Sequence, residues 1–128
     1  MSKKIIHYVN QFFAGIGGEE KADIIPEVRP GVVGSGSALQ SALGEGYEIV
    51  ATVICGDNYF GSNLEKGVVP QLLEMIGSFQ PDGFIAGPAF NAGRYGVACG
   101  TIAKAVQEEL HIPVVTGMFE ENPGADMF

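Results

Sequence analysis

The residues best suited to binding chemistry lie in a glycine-rich stretch, residues 87–100, which contains Arg94. This stretch follows an apolar run at residues 83–86 and leads into a helix-like run at residues 102–110. Small residues let the backbone turn sharply and let another molecule approach it closely. A helix N-terminus offers unpaired N–H groups, and an arginine adds a cationic fork that suits carboxylate or phosphate. The pattern predicts either an anion-accepting turn at the end of a strand or a tight strand-to-helix turn with a solvated arginine.

Further polar residues follow the other apolar runs of the sequence. In an open parallel sheet, ligands bind beyond the carboxyl ends of the strands, where the strand order reverses. Four segments are expected at that edge: residues 10–20, 56–61, 87–94 and 117–122. The candidate substrate-binding residues are Asn10, Gln11, Glu19, Asp57, Asn58, Asn91, Gly93, Arg94 and Tyr95. The alternative is that these groups are polar only because they lie in solvated loops.

Neither cysteine is predicted to act as a nucleophile. Cys55 ends a strand-like run with no histidine or lysine beside it to lower its pKa, and Cys99 lies among small helix-forming residues. Buried free cysteines usually behave as small hydrophobic residues. The spacing of the cysteines with His7 and His111 matches no zinc site. The sequence therefore predicts no metal site and no catalytic role for either thiol.

The composition predicts a packed domain without an obvious membrane or nucleic-acid partner. The chain has 128 residues, 46% of them hydrophobic, and a formal net charge of −8. That acidity argues against nucleic acid or an anionic membrane as a partner. No apolar run approaches the roughly 20 residues that span a bilayer, and the N-terminus lacks a signal-peptide pattern. We expect a cytoplasmic protein with reduced thiols and no disulfide bond.

Strand-like and helix-like runs alternate along the chain. Strands are predicted at residues 5–9, 47–55, 83–86 and 112–116. Helices are predicted at residues 37–43 and 64–79, with Pro70 either in the first turn of the second helix or at a kink, and a third helix that begins near Asn91 or Gly93 continues through residues 102–110. The alternation predicts a three-layer α/β fold, flavodoxin-like or Rossmann-like, with a mainly parallel sheet of about four strands in the order 2-1-3-4.

One connection is too long for a simple turn. Residues 10–36 show no clear periodicity, so they form a lid, a docking surface or a hidden short strand at residues 22–25 or 32–33. The last predicted strand has no covering helix after it within the sequence. We expect residues 1–128 to form a single α/β domain of a longer subunit.

Four long blocks of the chain resemble one known family. They are YVNQFFAGIGGEEKAD at residues 8–23, ATVICGDNYF at 51–60, IAGPAFNAGRYGVACG at 85–100 and IPVVTGMFEENPGADMF at 112–128. Together they resemble the N-terminal part of the component B selenoprotein subunit of the glycine, sarcosine and betaine reductases. The corresponding D-proline reductase subunit is a weaker relative.

The resemblance implies a cytoplasmic enzyme complex of anaerobic amino-acid fermentation. In that family, component B cleaves the C–N bond of a small amino acid or methylated amine reductively, and a selenocysteine attacks the α-carbon. The carboxymethyl group passes to the selenoprotein component A, and component C releases acetyl phosphate. A pyruvoyl group belongs to a partner subunit, and a thioredoxin system supplies electrons.

This chain lacks the selenocysteine motif of the family, which the resemblance places beyond residue 128. The nucleophile is therefore not transferred to Cys55 or Cys99, and the resemblance implies no cofactor or catalytic residue within this chain. The domain is expected to bind substrate or to hold the partner subunit, and to be inactive alone. A pure assembly module and an independent small-molecule binder of flavodoxin-like shape are the alternatives. The sequence leaves open which of glycine, sarcosine and betaine is the substrate.

Aromatic residues are expected at the same strand-end edge. They are Phe12, Phe13, Tyr59, Phe60, Phe90 and Tyr95. If they are exposed, they form an apolar patch that serves association. The sequence therefore predicts a soluble chain that self-associates weakly, as a dimer.

Overall fold

The computed structural model describes residues 3–34, 36–90 and 93–118. The apolar runs form strands and the segments with helical periodicity form helices, and the two alternate along the chain. The strands are β1 (Lys3–Val9), β2 (Glu27–Pro30), β3 (Tyr47–Ile54), β4 (Gly83–Phe90) and β5 (Val114–Met118). The helices are α1 (Gly36–Leu43), α2 (Asp57–Ser62), α3 (Val68–Gly77) and α4 (Gly93–Leu110). A short 3-10 turn covers Glu19–Lys21.

The strands form one sheet in the order β2-β3-β1-β4-β5. Strands β3, β1, β4 and β5 are parallel, so the α/β class and the predicted order of the four parallel strands are confirmed. The sheet has a fifth strand, however, because β2 pairs antiparallel with β3 at one edge. This strand lies between the two positions predicted for a hidden strand. Its Pro30 is tolerated because an edge strand leaves one row of donors unpaired.

One face of the sheet is covered by α2, α3 and α4. Alternating residues of β1 and β3, such as Tyr8 and Val53, pack there with Leu72 of α3 and Ile102 of α4, and all four are fully buried. On the opposite face, α1 packs on β3. Val9 and Ile54 are covered on that face by the segment after β1, through Phe13 and Ala14. The sheet is therefore the middle of three layers near β1 and β3.

Two predicted elements differ from the structure by more than two residues at one end. Strand β4 continues through Gly87 to Phe90, because Gly87 adopts a φ of 96° that only glycine enters easily. The predicted helix at residues 64–79 is shorter in the structure, where α3 begins only at Val68, and the separate helix α2 before it was not predicted. Pro70 thus lies in the first turn of α3, where its missing N–H costs no helical hydrogen bond.

Candidate functional site

The carboxyl ends of β1 and β3 bring three predicted site residues together. Asn10 and Gln11 follow β1, and Asp57 opens α2 after β3. The Asn10 amide Nδ2 donates to Asp57 Oδ2 at 2.9 Å, and the Asp57 backbone N–H donates to Gln11 Oε1 at 3.2 Å. All three residues are buried. The expected convergence of these residues at the carboxyl edge of the sheet is therefore present in the structure.

The same side chains shape the segment that leaves β1. Asn10 Oδ1 accepts a hydrogen bond from the Phe13 backbone N–H at 2.9 Å. The Asn10 carbonyl accepts from the Ala14 N–H, and the Gln11 carbonyl accepts from the Ile16 N–H, both at 3.0 Å. Asn10 therefore links the turn at residues 10–16 to Asp57, with both atoms of its amide in internal hydrogen bonds. These contacts give Asn10 a structural role at the carboxyl edge of the sheet.

Backbone carbonyls of the connection between β1 and β2 accept hydrogen bonds from the N-terminus of α2. The Ala22 carbonyl accepts from the N–H groups of Asn58 at 2.8 Å and Tyr59 at 3.0 Å, and the Ile24 carbonyl accepts from Gly56 at 3.1 Å. The exposed side chain of Asn58 donates through Nδ2 to Asp23 Oδ1. Protein carbonyls thus occupy the donors that an anion would need at this helix.

Tyr95 forms part of an aromatic layer beneath this edge. Its ring stacks on Phe13 with centroids 5.3 Å apart, and it lies 6.5 Å from the ring of Tyr8. Tyr8 also meets Phe60 edge-on at 6.4 Å. Tyr95 is only 1% exposed, so it supports the edge from below rather than lining its surface.

The aromatic patch expected for association is mostly internal. Phe60 and Tyr95 are buried, whereas Phe12 is 63% exposed and meets Phe13 edge-on. The side chain of Phe90 lies outside the described part of the structure. The expectation of a broad exposed patch is wrong for the described side chains, because the rings pack against the sheet; the dimer itself stays a prediction.

Both thiols are buried beneath the same edge, and both cysteines are free. Burial, with the nearby negative charge of Asp57, raises the pKa of Cys55 to about 12. Burial likewise raises the pKa of Cys99, well beyond that of an ordinary thiol. A nucleophilic cysteine needs a thiolate, so at neutral pH neither group has the required form. In the ranges that the structure describes, no group of three histidine, cysteine or acidic residues is placed to hold a metal ion.

Gly93 and Arg94 form the first turn of α4, which begins close to the end of β4. Residues 87–90, which were predicted to belong to the turn, are instead part of β4. Asn91 lies outside the described residues, as do the side chains of Arg94 and Glu19. The backbone of Glu19 begins the 3-10 turn in the long connection.

His7 is a buried polar residue whose contact the sequence does not reveal. Its ring Nε2 donates to the Gly87 carbonyl at 2.6 Å, and the residue is fully buried. Because a carbonyl can only accept, Nε2 carries the proton. Burial lowers the pKa of His7, and the carbonyl contact opposes that change in part. The neutral ring therefore holds β4 at the point where Gly87 bends it. The only sequence signal for this contact is a histidine within an apolar strand.

The comparisons with known proteins agree with one another. Residues 2–128 match the family model described as glycine/sarcosine/betaine reductase selenoprotein B. The chain is 65% identical over 125 residues to the sarcosine reductase complex component B subunit beta of Peptoclostridium acidaminophilum, covering 98% of this chain and 28% of that relative. It is 61% identical to the glycine reductase complex component B subunit gamma of Symbiobacterium thermophilum, covering 98% of this chain and 29% of that relative.

A betaine-specific relative shows a similar extent of match. The betaine reductase complex component B subunit beta of Peptoclostridium acidaminophilum is 50% identical, with coverage of 98% of this chain and 28% of that relative. The chain thus spans less than a third of the length of these relatives. No solved structure matches it. Among the described residues, no helix has the length and apolar character needed to cross a membrane.

Proposed function

Because this chain belongs to the glycine/sarcosine/betaine reductase selenoprotein B family, we propose that it is the N-terminal domain of a component B subunit. The complete cytoplasmic complex cleaves the C–N bond of glycine, sarcosine or betaine by a two-electron reduction. The observation that carries this proposal is the match over residues 2–128, with identities of 50–65% to relatives named for all three substrates. The relatives are parts of amino-acid reductase complexes, which are oxidoreductases.

The reacting groups are assigned outside this chain. Cys55 and Cys99 are buried thiols with raised pKa values, so they do not fit the role of the attacking nucleophile. We assign that role to a selenocysteine beyond residue 128 and the carbonyl chemistry to the pyruvoyl group of a partner subunit. The product of the C–N cleavage then passes to the selenoprotein component A.

The domain's contribution is substrate binding at the edge where β1, β3 and β4 end. Glycine, sarcosine and betaine share a carboxylate on the carbon that carries nitrogen. The first turn of α4, with Gly93 and Arg94, is suited to that carboxylate, because a helix N-terminus and a guanidinium both favour an anion. The buried link between Asn10 and Asp57 supports this assignment, since it fixes two of the three strand ends around the site.

A role in assembly is the second candidate. It is favoured by the burial of Asn10, Gln11, Asp57 and Tyr95, four of the nine predicted site residues, in contacts internal to the domain. Residues engaged in this way shape a surface without having to touch substrate. The surface above them then receives the pyruvoyl-containing subunit or component A.

The experiment is reconstitution of the complex with a complete component B subunit that carries this domain. Each of glycine, sarcosine and betaine is supplied with the electron donor, and the released amine is identified as ammonia, methylamine or trimethylamine. We expect turnover of at least one substrate by the complex and none by residues 1–128 alone. Failure of the complex on all three substrates would contradict the proposed function, and turnover by the isolated domain would contradict the assignment of the nucleophile.

A further inference from the structure

A concave groove lies on the sheet face opposite α4. It encloses about 380 Å³ and is mostly apolar. The apolar side chains that line it include Ile5, Leu43, Tyr47, Ile85, Pro113 and Val115. Two charged residues, Lys3 and Asp82, also border it. Most of these residues belong to the first half of their strands or precede it, so the groove is at the opposite end of the sheet from the candidate site.

The groove exists because the third layer of the fold is incomplete in the described structure. Strand pairing aligns His7 with Ile85 and Ile85 with Val115, so these side chains share one face. Helix α1 covers β3 on that face, whereas α4 packs on β4 and β5 from the other side. Val115 is consequently 60% exposed and Tyr47 is 43% exposed. Parallel strands usually have both faces covered, so within the described ranges β4 and β5 lack a cover that such a sheet normally has.

We propose that a helix from the part of the component B subunit that follows this domain packs into this groove, an inference that rests on the proposed function. The relatives provide the chain for it, since the matched region is only 28–29% of their length. The crossovers from β3 to β4 and from β4 to β5 place their helices on the α4 side. A segment that follows β5 and turns back across the opposite face of β4 and β1 lies beside α1, directly over the groove.

The size and chemistry of the groove favour one helix over a second copy of the chain. A stable protein interface uses about 20–30 residues on each side, and the groove presents ten. An amphipathic helix offers a narrow apolar stripe of matching width. Because Lys3 and Asp82 border the groove, we expect an acidic and a basic residue beside the apolar stripe of the incoming helix.

The first test places a photo-crosslinking amino acid at position 115 of the complete subunit. A mixture of isotopically light and heavy subunits separates crosslinks within one chain from crosslinks between chains, and mass spectrometry identifies the captured peptide. We expect a crosslink within one chain to a helical segment beyond residue 128. Capture of a second copy, capture of the pyruvoyl-containing subunit, or absence of any crosslink would overturn the inference.

The second test measures accessibility and does not depend on crosslinking. Val115→Cys is compared with Leu64→Cys, a matched control because Leu64 is also an exposed apolar residue, at 43%, and does not line the groove. In the complete subunit, maleimide labelling at position 115 is expected to be at least about tenfold slower than at position 64, because labelling then requires local opening. Equal labelling would overturn the inference. Amine release by the same preparations tests the proposed function separately, so the two failures are distinguishable.

Discussion

Asn10 and Asp57 are 47 positions apart in the sequence and are joined by a buried hydrogen bond of 2.9 Å. The bond links the carboxyl ends of two parallel neighbours, β1 and β3. The Gln11 side chain accepts from the Asp57 backbone on the same edge. The hydrogen bond between Asn10 and Asp57 therefore connects the ends of β1 and β3 at the candidate site.

Removal of the Asn10 amide should lower the free energy of unfolding. Asn10→Ala loses the contact with the Asp57 carboxylate and the contact with the Phe13 N–H. Hydrogen bonds to charged groups contribute about 1.5–3 kcal/mol each, so we expect a loss of about 2–3 kcal/mol in urea denaturation. The control is Asn58→Ala, whose bond to Asp23 is exposed and whose loss should cost less than about 1 kcal/mol. Equal losses in the two variants would contradict a special role for the buried bond.

Gly56 should tolerate no larger side chain. A Cβ there would lie 2.2 Å from the Ala22 carbonyl oxygen and 2.8 Å from the Ile24 backbone nitrogen. Gly56→Ala must therefore displace the backbone that closes α2, and we expect a loss of about 1–3 kcal/mol or more in the free energy of unfolding.

Gly61→Ala is the matched control for that substitution. Gly61 lies within α2 and has open space where a Cβ would go. Because alanine is a better helix former than glycine, this variant should gain up to about 1 kcal/mol. Thermal unfolding of both variants measures the difference. A neutral Gly56→Ala would show that the segment at residues 22–24 is not needed to close the helix.

The buried Cys55 thiol should make the domain less stable in alkali. The folded protein holds the proton of Cys55 up to a pKa of about 12, whereas the unfolded chain releases it near the ordinary value of 9. The unfolded state therefore binds fewer protons between these values, and stability falls as pH rises through that window. One such group contributes a slope of at most about 1.4 kcal/mol per pH unit.

Urea denaturation at pH 8 and pH 10 tests this dependence. Cys55→Ala removes the thiol and should reduce the stability lost between the two pH values, while the other titrating groups remain in both proteins. An identical pH dependence in the wild type and the variant would contradict a raised pKa for Cys55. The same raised pKa predicts slow alkylation of Cys55 in the folded chain at pH 8.

The sequence was sufficient to predict the elements that depend on local pattern. The apolar run of β3 (Tyr47–Ile54) and the periodicity of α4 (Gly93–Leu110) are strong signals. The order of the four parallel strands was expected by analogy with flavodoxin-like folds and is the order found. Strand β2 (Glu27–Pro30) has no such signal. Its two charged residues and its proline resemble a loop, and it becomes a strand by pairing with the edge of β3.

The convergence of three candidate site residues was predictable, but their contacts were not. Because the carboxyl ends of parallel strands meet at one edge of the sheet, Asn10, Gln11 and Asp57 were correctly expected to lie together. That their polar atoms contact one another, and that Tyr95 lies beneath the edge, depends on side-chain packing between segments far apart in the sequence. The role of the Ala22 carbonyl at α2 has no side-chain signature at all, because any residue carries the same backbone oxygen.

Arg94 provides the most direct test of substrate binding at the edge. In the reconstituted complex, Arg94→Ala should raise the KM for the amino-acid substrate by about 10- to 100-fold, since a lost charge-assisted hydrogen bond is worth about 1.5–3 kcal/mol. The effect on kcat should be smaller, because the carboxylate is bound in both the ground state and the transition state. Arg94→Lys should recover part of the affinity, as it retains the charge but loses the planar fork.

The control for Arg94 is Lys104→Ala, which removes an exposed positive charge from the same helix, ten positions away. Its KM should stay within about twofold of the wild type, because exposed charges at that distance are screened by salt. If both variants raise KM equally, long-range attraction by the positive side chains of α4, and not a local contact of Arg94, is responsible. If Arg94→Ala leaves KM unchanged but weakens binding of the pyruvoyl-containing subunit, Arg94 belongs to the assembly surface, and the second candidate function replaces substrate binding at the start of α4.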